Sequence, residues 1–262
     1  MIDRNPLRDK PVLFASYFGD VTTPRGGMYQ RLAMVLESSA KRHLPGWEVR
    51  VERITEVPLQ PASGNPSHGW NTLKLEWWRD MVRGAPDGAR LLLIDGDTAI
   101  LKPLDSVWRL SFDIAYTVRE RGLPLNGGVI FLRVSKKTRA FMETWWEINS
   151  KFFHSDLKHA PWRAKYAGIN QAALGCLLET VAHGCALERL PCREWNCCQW
   201  QWLDCSTRII HVKSVLRRAV FGVEAPRTGM QPMINLWRGL EGQTDNALVK
   251  ALWGPNPYGK TY

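Results

Sequence analysis

Apolar and polar positions along the chain fall into two rhythms, one of strands and one of helices. PVLFASYF (11–18) is a continuous apolar run of strand length. Residues 27–43 put Met28, Leu32, Val35, Leu36 and Ser39 on one face of a predicted helix that ends in Lys and Arg. WEVRVERI (47–54) alternates Trp47, Val49 and Val51, as a strand with one wet face does. VPLQPASGNPSHGWN (57–71) is rich in Pro, Gly and Ser and predicts a loop. In TLKLEWWRDMV, Leu73, Trp77 and Met81 recur at every fourth position and predict a helix. Four strands follow: RLLLI, a short one around AILKPL, FDIAYTVR (112–119) and GGVIFLRV (127–134). Ser135 can then cap a helix in which Phe141, Trp145, Ile148 and Phe152 share a face. Residues 154–167 predict a loop, GINQAALGCLLETV a helix, and LERLP and RIIHVK (208–213) the last strands. Beyond Val223, where Pro, Gly and polar residues dominate, no element is predicted.

Helices alternating with near-continuous apolar strands define an α/β protein with a mostly parallel central sheet flanked by helices. Repeats and linkers are absent, so residues 1–223 are expected to form one domain and 224–262 a C-terminal extension packed on it. With 45% hydrophobic residues the chain can bury a proper core, and most of its 13 tryptophans belong there. Neither a membrane-spanning stretch nor a signal peptide is visible, so a cytoplasmic location is expected. All six cysteines lie between Cys176 and Cys205. Disulfides are not expected in that setting, and the cluster leaves two readings, buried thiols or a zinc site. A net charge of +10 suits an anionic partner, whether a nucleotide, a nucleic acid or an acidic surface.

The stretch RLLLIDGDTAILKPLDSVW (90–108) carries the chemistry. Its apolar strand ends in Asp95 and Asp97, and ligands in open α/β sheets bind at the carboxyl ends of strands. Two carboxylates at this spacing can hold Mn²⁺ or Mg²⁺ alongside phosphate oxygens, and Gly96 lets the backbone approach a ligand closely. The alternative is a pair that caps backbone N–H groups or meets arginines.

LLLIDGDTAILKPLDSVW resembles the Asp-x-Asp region of GT-A (Rossmann-like) nucleotide-sugar glycosyltransferases, above all glycosyltransferase family 8, the glycogenin-like enzymes. PLNGGVIFLRVS (124–135) is similar to that family's Asn-Ser-Gly strand, GINQAALGCL (168–177) to its Asp-Gln-Asp block, and RIIHVKSVLR (208–217) to its late histidine segment. The resemblance implies a GT-A fold and a divalent metal, Mn²⁺ or Mg²⁺, held by Asp95, Asp97 and His211. It further implies Lys74, Asn126, Lys213 and Arg217 at the donor and its diphosphate, with Gln171 joining Asp95 and Asp97 in catalysis. Gly-Ile-Asn-Gln stands where Asp-Gln-Asp is usual, and Asn170 is expected on the acceptor side. The implied reaction moves a sugar from a nucleoside diphosphate sugar, UDP-sugar favoured, to a hydroxyl with retained configuration. The acceptor can be a glycan, a small molecule or, as the basic charge suggests, a hydroxymethylated base in DNA.

Two further stretches call for a reading. CREWNCCQWQW (192–202) can offer Trp195 and Trp200 as a stacking platform for an acceptor, or can form a small aromatic core. GPNPYGKT (254–261) matches the letters of a phosphate loop, but only Tyr262 stands after it in this sequence and Pro255 and Pro257 remove two N–H donors, so it is expected to be a coincidental match. Rivals to the glycosyltransferase reading are a non-catalytic nucleic-acid-binding module with the same fold and a metal-dependent nucleotidyltransferase.

Overall fold

The computed structural model describes residues 10–19, 23–56, 58–120 and 122–243. Strand β1 (Val12–Phe18) leads to helix α1 (Pro24–His43), then β2 (Glu48–Ile54), α2 (Pro66–Gly84), β3 (Arg90–Asp95) and the short β4 (Thr98–Ile100). Next come β5 (Ile114–Val118), β6 (Leu125–Arg133), α3 (Lys136–Phe153), α4 (Asp156–Tyr166) and α5 (Ile169–Thr180). The described chain ends with β7 (Leu187–Pro191), α6 (Cys192–Trp195), β8 (Ile209–His211), α7 (Ser214–Val220) and α8 (Gln231–Gly242).

Six strands form one sheet in the order β2-β1-β3-β6-β5-β7. β1 pairs in parallel with β2 and β3, and β5 with β7, while β6 runs antiparallel to both of its neighbours. The mostly parallel α/β sheet expected from the sequence is thus present, with β6 as its reversed member. Because β6 alone is reversed, its amino end lies on the same sheet edge as the carboxyl ends of β1, β3 and β5. Leu91 and Leu93 of β3 face a core built with Trp78 of α2, Trp145 of α3 and Leu177 of α5. Leu92 and Ile94 face the opposite core, with Leu36 and Ala40 of α1. Burial on both faces explains why RLLLI reads as an unbroken apolar run.

Local chemistry sets the ends of the helices. Ser135 and Thr138 form a reciprocal capping box at the start of α3, each side chain satisfying the other's backbone N–H. Ser135→Ala should therefore cost about 1 kcal/mol in urea unfolding, with little change in the slope of the transition. Asn65 caps α2 by accepting from Ser67 N–H at 3.1 Å, with Pro66 in the first turn, so the helix begins inside the stretch expected to be loop. Its buried face is Leu75, Trp78 and Val82, with Trp77 and Met81 only partly covered, so the inner stripe is rotated from the one the four-residue spacing suggested.

Two helices replace segments without predicted structure. α4 runs through Pro161, which removes one intrahelical donor. The Leu157 turn facing that gap is solvent-exposed, where water can take up a free carbonyl, and Arg163 pairs with Asp156 across the helix at 3.0 Å. α8 buries Met233, Ile234, Trp237 and Leu240 against α1 and α7, and Arg31 of α1 bonds to its Glu241 at 2.8 Å. The stretch 254–261 lies outside the described residues. Among the described residues no helix is long and apolar enough to cross a membrane. All six cysteines are free thiols.

Candidate active site

The carboxyl ends of β1, β3 and β5 and the amino end of β6 open onto one cavity of about 500 Å³. β1 contributes Ser16, Tyr17 and Phe18, β3 and its turn Asp95, Gly96 and Asp97, β5 the following Arg119, and β6 Asn126, Gly127 and Gly128. Its size matches sites that enclose cofactor-sized ligands.

Asp95 and Asp97 are brought together by a tight turn whose glycine has a specific cause. A Cβ on Gly96 would lie 2.8 Å from the Ser16 carbonyl oxygen, so the turn packs directly on β1. The contact this glycine makes is with neighbouring backbone, not the approach to a ligand that the sequence suggested. After the turn, β4 pairs with β8 and sets Thr98 opposite His211. Val212 N–H donates to the Asp97 carbonyl at 2.9 Å and locks that register. This two-stranded sheet carries the imidazole to the aspartates from more than a hundred positions along the chain.

His211 Nε2 lies 3.0 Å from Asp97 Oδ1 and 3.7 Å from Asp95 Oδ2. Among the described residues, one oxygen from each aspartate and one imidazole nitrogen form the only group of three or more such side chains fit to hold a metal ion, all within 4.8 Å of one another. The donor set, two hard oxygens and one imidazole, suits Mn²⁺ or Mg²⁺. The cysteines form no such group. Burial alone would raise the pKa of Asp97, but His211, Arg217 and Lys213 together hold it well below the ordinary carboxylate range. Asp97 is thus ionised at neutral pH and ready to bind a cation.

Cations surround the aspartates. Lys74, buried on α2, pairs with Asp95 and lies 4.4 Å from the centre of the Trp78 ring. Arg217 on α7 reaches Asp97 Oδ2 at 3.0 Å and stacks over Tyr29. Lys213 lines the same wall; burial pushes its pKa down, with Cys198 and the two aspartates opposing the shift. Arg119, which the sequence reading did not single out, is the fourth cation of the lining. Its position one residue past the end of β5 was the available signal.

Four buried polar atoms of the lining have no hydrogen-bond partner among the described residues: Ser16 Oγ, Arg119 Nε, Asn126 Nδ2 and Asn170 Oδ1. Each unsatisfied group costs on the order of 1–3 kcal/mol, which a polar ligand in the cavity would recover. Asn126 is held with its other amide atom accepting from Gly128 N–H at 3.2 Å. Gln171 joins α5 to β6 by accepting from Gly127 N–H at 3.3 Å. Among the described residues two non-glycine residues have positive φ, Ala167 at 55° and Ser214 at 52°, and both line this cavity. Such backbone costs on the order of 1 kcal/mol and gathers at functional sites.

Lys74, Asn126, Asn170, Gln171, Lys213 and Arg217 thus share the cavity with Asp95, Asp97 and His211. Trp195 and Trp200 do not. Trp195 is buried edge-on against Phe131 with Arg208 over its ring, and Trp200 packs beside Gly229 with its N–H on the Thr228 carbonyl. Trp195 belongs to a buried core with Phe131 and Ile209, and Trp200, partly buried, packs against a second core that includes Ile210. The aromatic-core reading of CREWNCCQWQW fits this placement.

No family model and no curated protein sequence matches the chain. Solved structures do match it in fold. The galactosyltransferase LgtC, in complex with donor and acceptor sugar analogues, superimposes with a TM-score of 0.55 at 12% identity over 92% of this chain and 99% of that one. A glycosyltransferase involved in glycosylation of the major capsid of PBCV-1 gives 0.52 at 13% identity, covering 79% of this chain and 95% of that one. GlyE of Streptococcus pneumoniae TIGR4 gives 0.52 at 12% identity, covering 88% of this chain and 64% of that one. The likeness is one of fold: this chain has the GT-A fold that the sequence resemblance implied.

Proposed function

We propose that the protein is a metal-dependent glycosyltransferase that moves a sugar from a nucleoside diphosphate sugar, UDP-sugar favoured, to an acceptor hydroxyl. The observation that carries this reading is the convergence of Asp95, Asp97 and His211 on a cavity otherwise charged by Lys74, Arg119, Lys213 and Arg217. A ligand suited to that wall has a compact anionic part and a polar remainder, as a sugar linked to a diphosphate does.

A divalent cation held by Asp95, Asp97 and His211 would supply positive charge where the leaving diphosphate gathers negative charge. Lys213 and Arg217 are the protein's own cations for the same oxygens, and Arg217 can shift from Asp97 to phosphate as the donor arrives. Lys74 holds Asp95 in place. Asn126 offers its free amide donor to a sugar hydroxyl, and Gln171 and Asn170 stand on the acceptor side. Among the described residues of the lining the only carboxylates are Asp95 and Asp97. Both belong to the metal group, so no carboxylate is left to deprotonate an acceptor attacking from the opposite face. That favours transfer with retained configuration.

The test is release of nucleoside diphosphate from a panel of sugar nucleotides with Mn²⁺ and with a chelator. Metal-dependent release from at least one donor is expected, while a folded protein inert to every donor would overturn the proposal. For the acceptor, the +10 charge is the feature that favours DNA carrying a hydroxymethylated base over a glycan or small molecule. Gel shifts at two salt concentrations decide it: a complex that weakens steeply with salt supports DNA, and no complex removes it.

A further inference from the structure

We infer that Asn196 is a positioning residue that fixes His211 in the tautomer a metal ligand requires, an inference that rests on the metal reading above. Asn196 is wholly buried, just after α6 in the tryptophan- and cysteine-rich insertion. Backbone pairing delivers it to the imidazole. Cys197 N–H donates to the Ile209 carbonyl at 2.8 Å, and His211 N–H donates to the Cys197 carbonyl at 2.9 Å. The side-chain oxygen of Asn196 then lies 2.9 Å from His211 Nδ1.

One hydroxyl decides which end of the amide faces the ring. Thr117 Oγ1 lies 2.7 Å from the Asn126 carbonyl oxygen. A carbonyl only accepts, so the Thr117 proton sits between these two oxygens. Thr117 Oγ1 must therefore accept in its other contact, 2.9 Å from the Asn196 side-chain nitrogen. The same NH₂ group reaches the Asn126 carbonyl at 3.4 Å. With the NH₂ end committed there, Oδ1 faces His211, and because Oδ1 only accepts, Nδ1 carries a proton.

The other ring nitrogen, Nε2, points at the two aspartates. In the neutral ring it presents a bare lone pair to carboxylate oxygens. A metal ion placed there would take Nε2 and the Asp97 oxygen, 3.0 Å apart, as ligands together. The relay from Asn126 through Thr117 and Asn196 thus prepares Nε2 as a ligand, and partners of this kind tune metal affinity by about 10- to 100-fold.

Asn196→Leu keeps the bulk and removes the acceptor, whereas Asn196→Asp keeps an acceptor at the same place. Mn²⁺ affinity, read from the free-ion EPR signal, should fall about 10- to 100-fold in Asn196→Leu and stay near wild type in Asn196→Asp. Long-range ¹H–¹⁵N spectra of the metal-free protein in mildly alkaline solution should show His211 protonated on Nδ1 in wild type and Asn196→Asp, and no longer uniquely so in Asn196→Leu. Unchanged affinity in folded Asn196→Leu would overturn the inference. Equal weakening in both variants would also overturn it, since packing and not the acceptor would then be at work. A wild-type protein that binds no Mn²⁺ overturns the metal reading itself. Should Asn196→Leu not fold, Thr117→Val frees the amide to rotate: weakened Mn²⁺ binding supports the relay and unchanged binding refutes it.

Discussion

Asp97→Asn is expected to remove sugar transfer almost completely while leaving the protein folded. The side chain keeps its shape and can still accept from Arg217, so the far-UV circular dichroism spectrum should be that of wild type. What changes is charge. Asp97 is the aspartate nearest His211, and it is the one whose pKa is held down by His211, Arg217 and Lys213. A neutral amide there leaves a would-be metal site with one carboxylate and an imidazole, surrounded by cations that disfavour a divalent ion. Losing about 4 kcal/mol of charge stabilisation at the leaving diphosphate corresponds to about a thousandfold loss of rate. Mn²⁺ binding should be lost in parallel. Asp87→Asn, which alters an exposed carboxylate paired with Arg139, is the matched control and should behave as wild type. Turnover retained by Asp97→Asn would exclude the metal assignment even if the protein proved to be a transferase.

The part of this site that a reader of the sequence can see is the part encoded within one strand and its turn. Asp95 and Asp97 end a run that is apolar on both faces, and that local fact places them at the ligand-binding edge of the sheet. His211 is different. Nothing within RIIHVK links it to residue 97, and only the resemblance to family 8 enzymes pointed there; the physical link is the pairing of β4 with β8. Arg119 and Asn196 were missed for a related reason. Each acts through neighbours supplied by other elements, so neither has a local pattern to announce it. Trp195 and Trp200 carry two readings in the sequence, because tryptophan can stack on a ligand or fill a core; in the structure Trp195 is buried and Trp200 partly buried, both away from the cavity lining. In the fold, α4 was hidden by Pro161, and α8 by the Pro and Gly residues that surround its Met233, Trp237 and Leu240 stripe.

Gly128→Ala should damage the metal group by sterics alone. In PLNGGVIFLRVS the asparagine carries the resemblance, yet Gly128 is the residue that makes room for two of the three metal-binding side chains, Asp95 and His211. A Cβ there would lie 2.6 Å from Asp95 Oδ2, 2.7 Å from His211 Cε1 and 3.1 Å from His211 Nδ1. The neighbours cannot simply swing away: Asp95 is tied to Lys74, and His211 is pinned by Asn196 and by backbone pairing on both sides. Either side chain must move, and metal sites tolerate ligand displacements of only about 0.2 Å. Misplacement on the scale of an ångström costs about a hundredfold in rate, while overpacking costs about 1–3 kcal/mol of stability. Gly127→Ala provides the comparison, because its Cβ would meet only Leu174 Cδ2, at an ordinary 3.9 Å. Titration with Mn²⁺ should therefore separate two adjacent glycines, with affinity retained at 127 and lost at 128. Equal, wild-type affinity in both variants would mean that the ion binds away from Asp95 and His211. The cations around the cavity would then have to hold the anionic ligand without it.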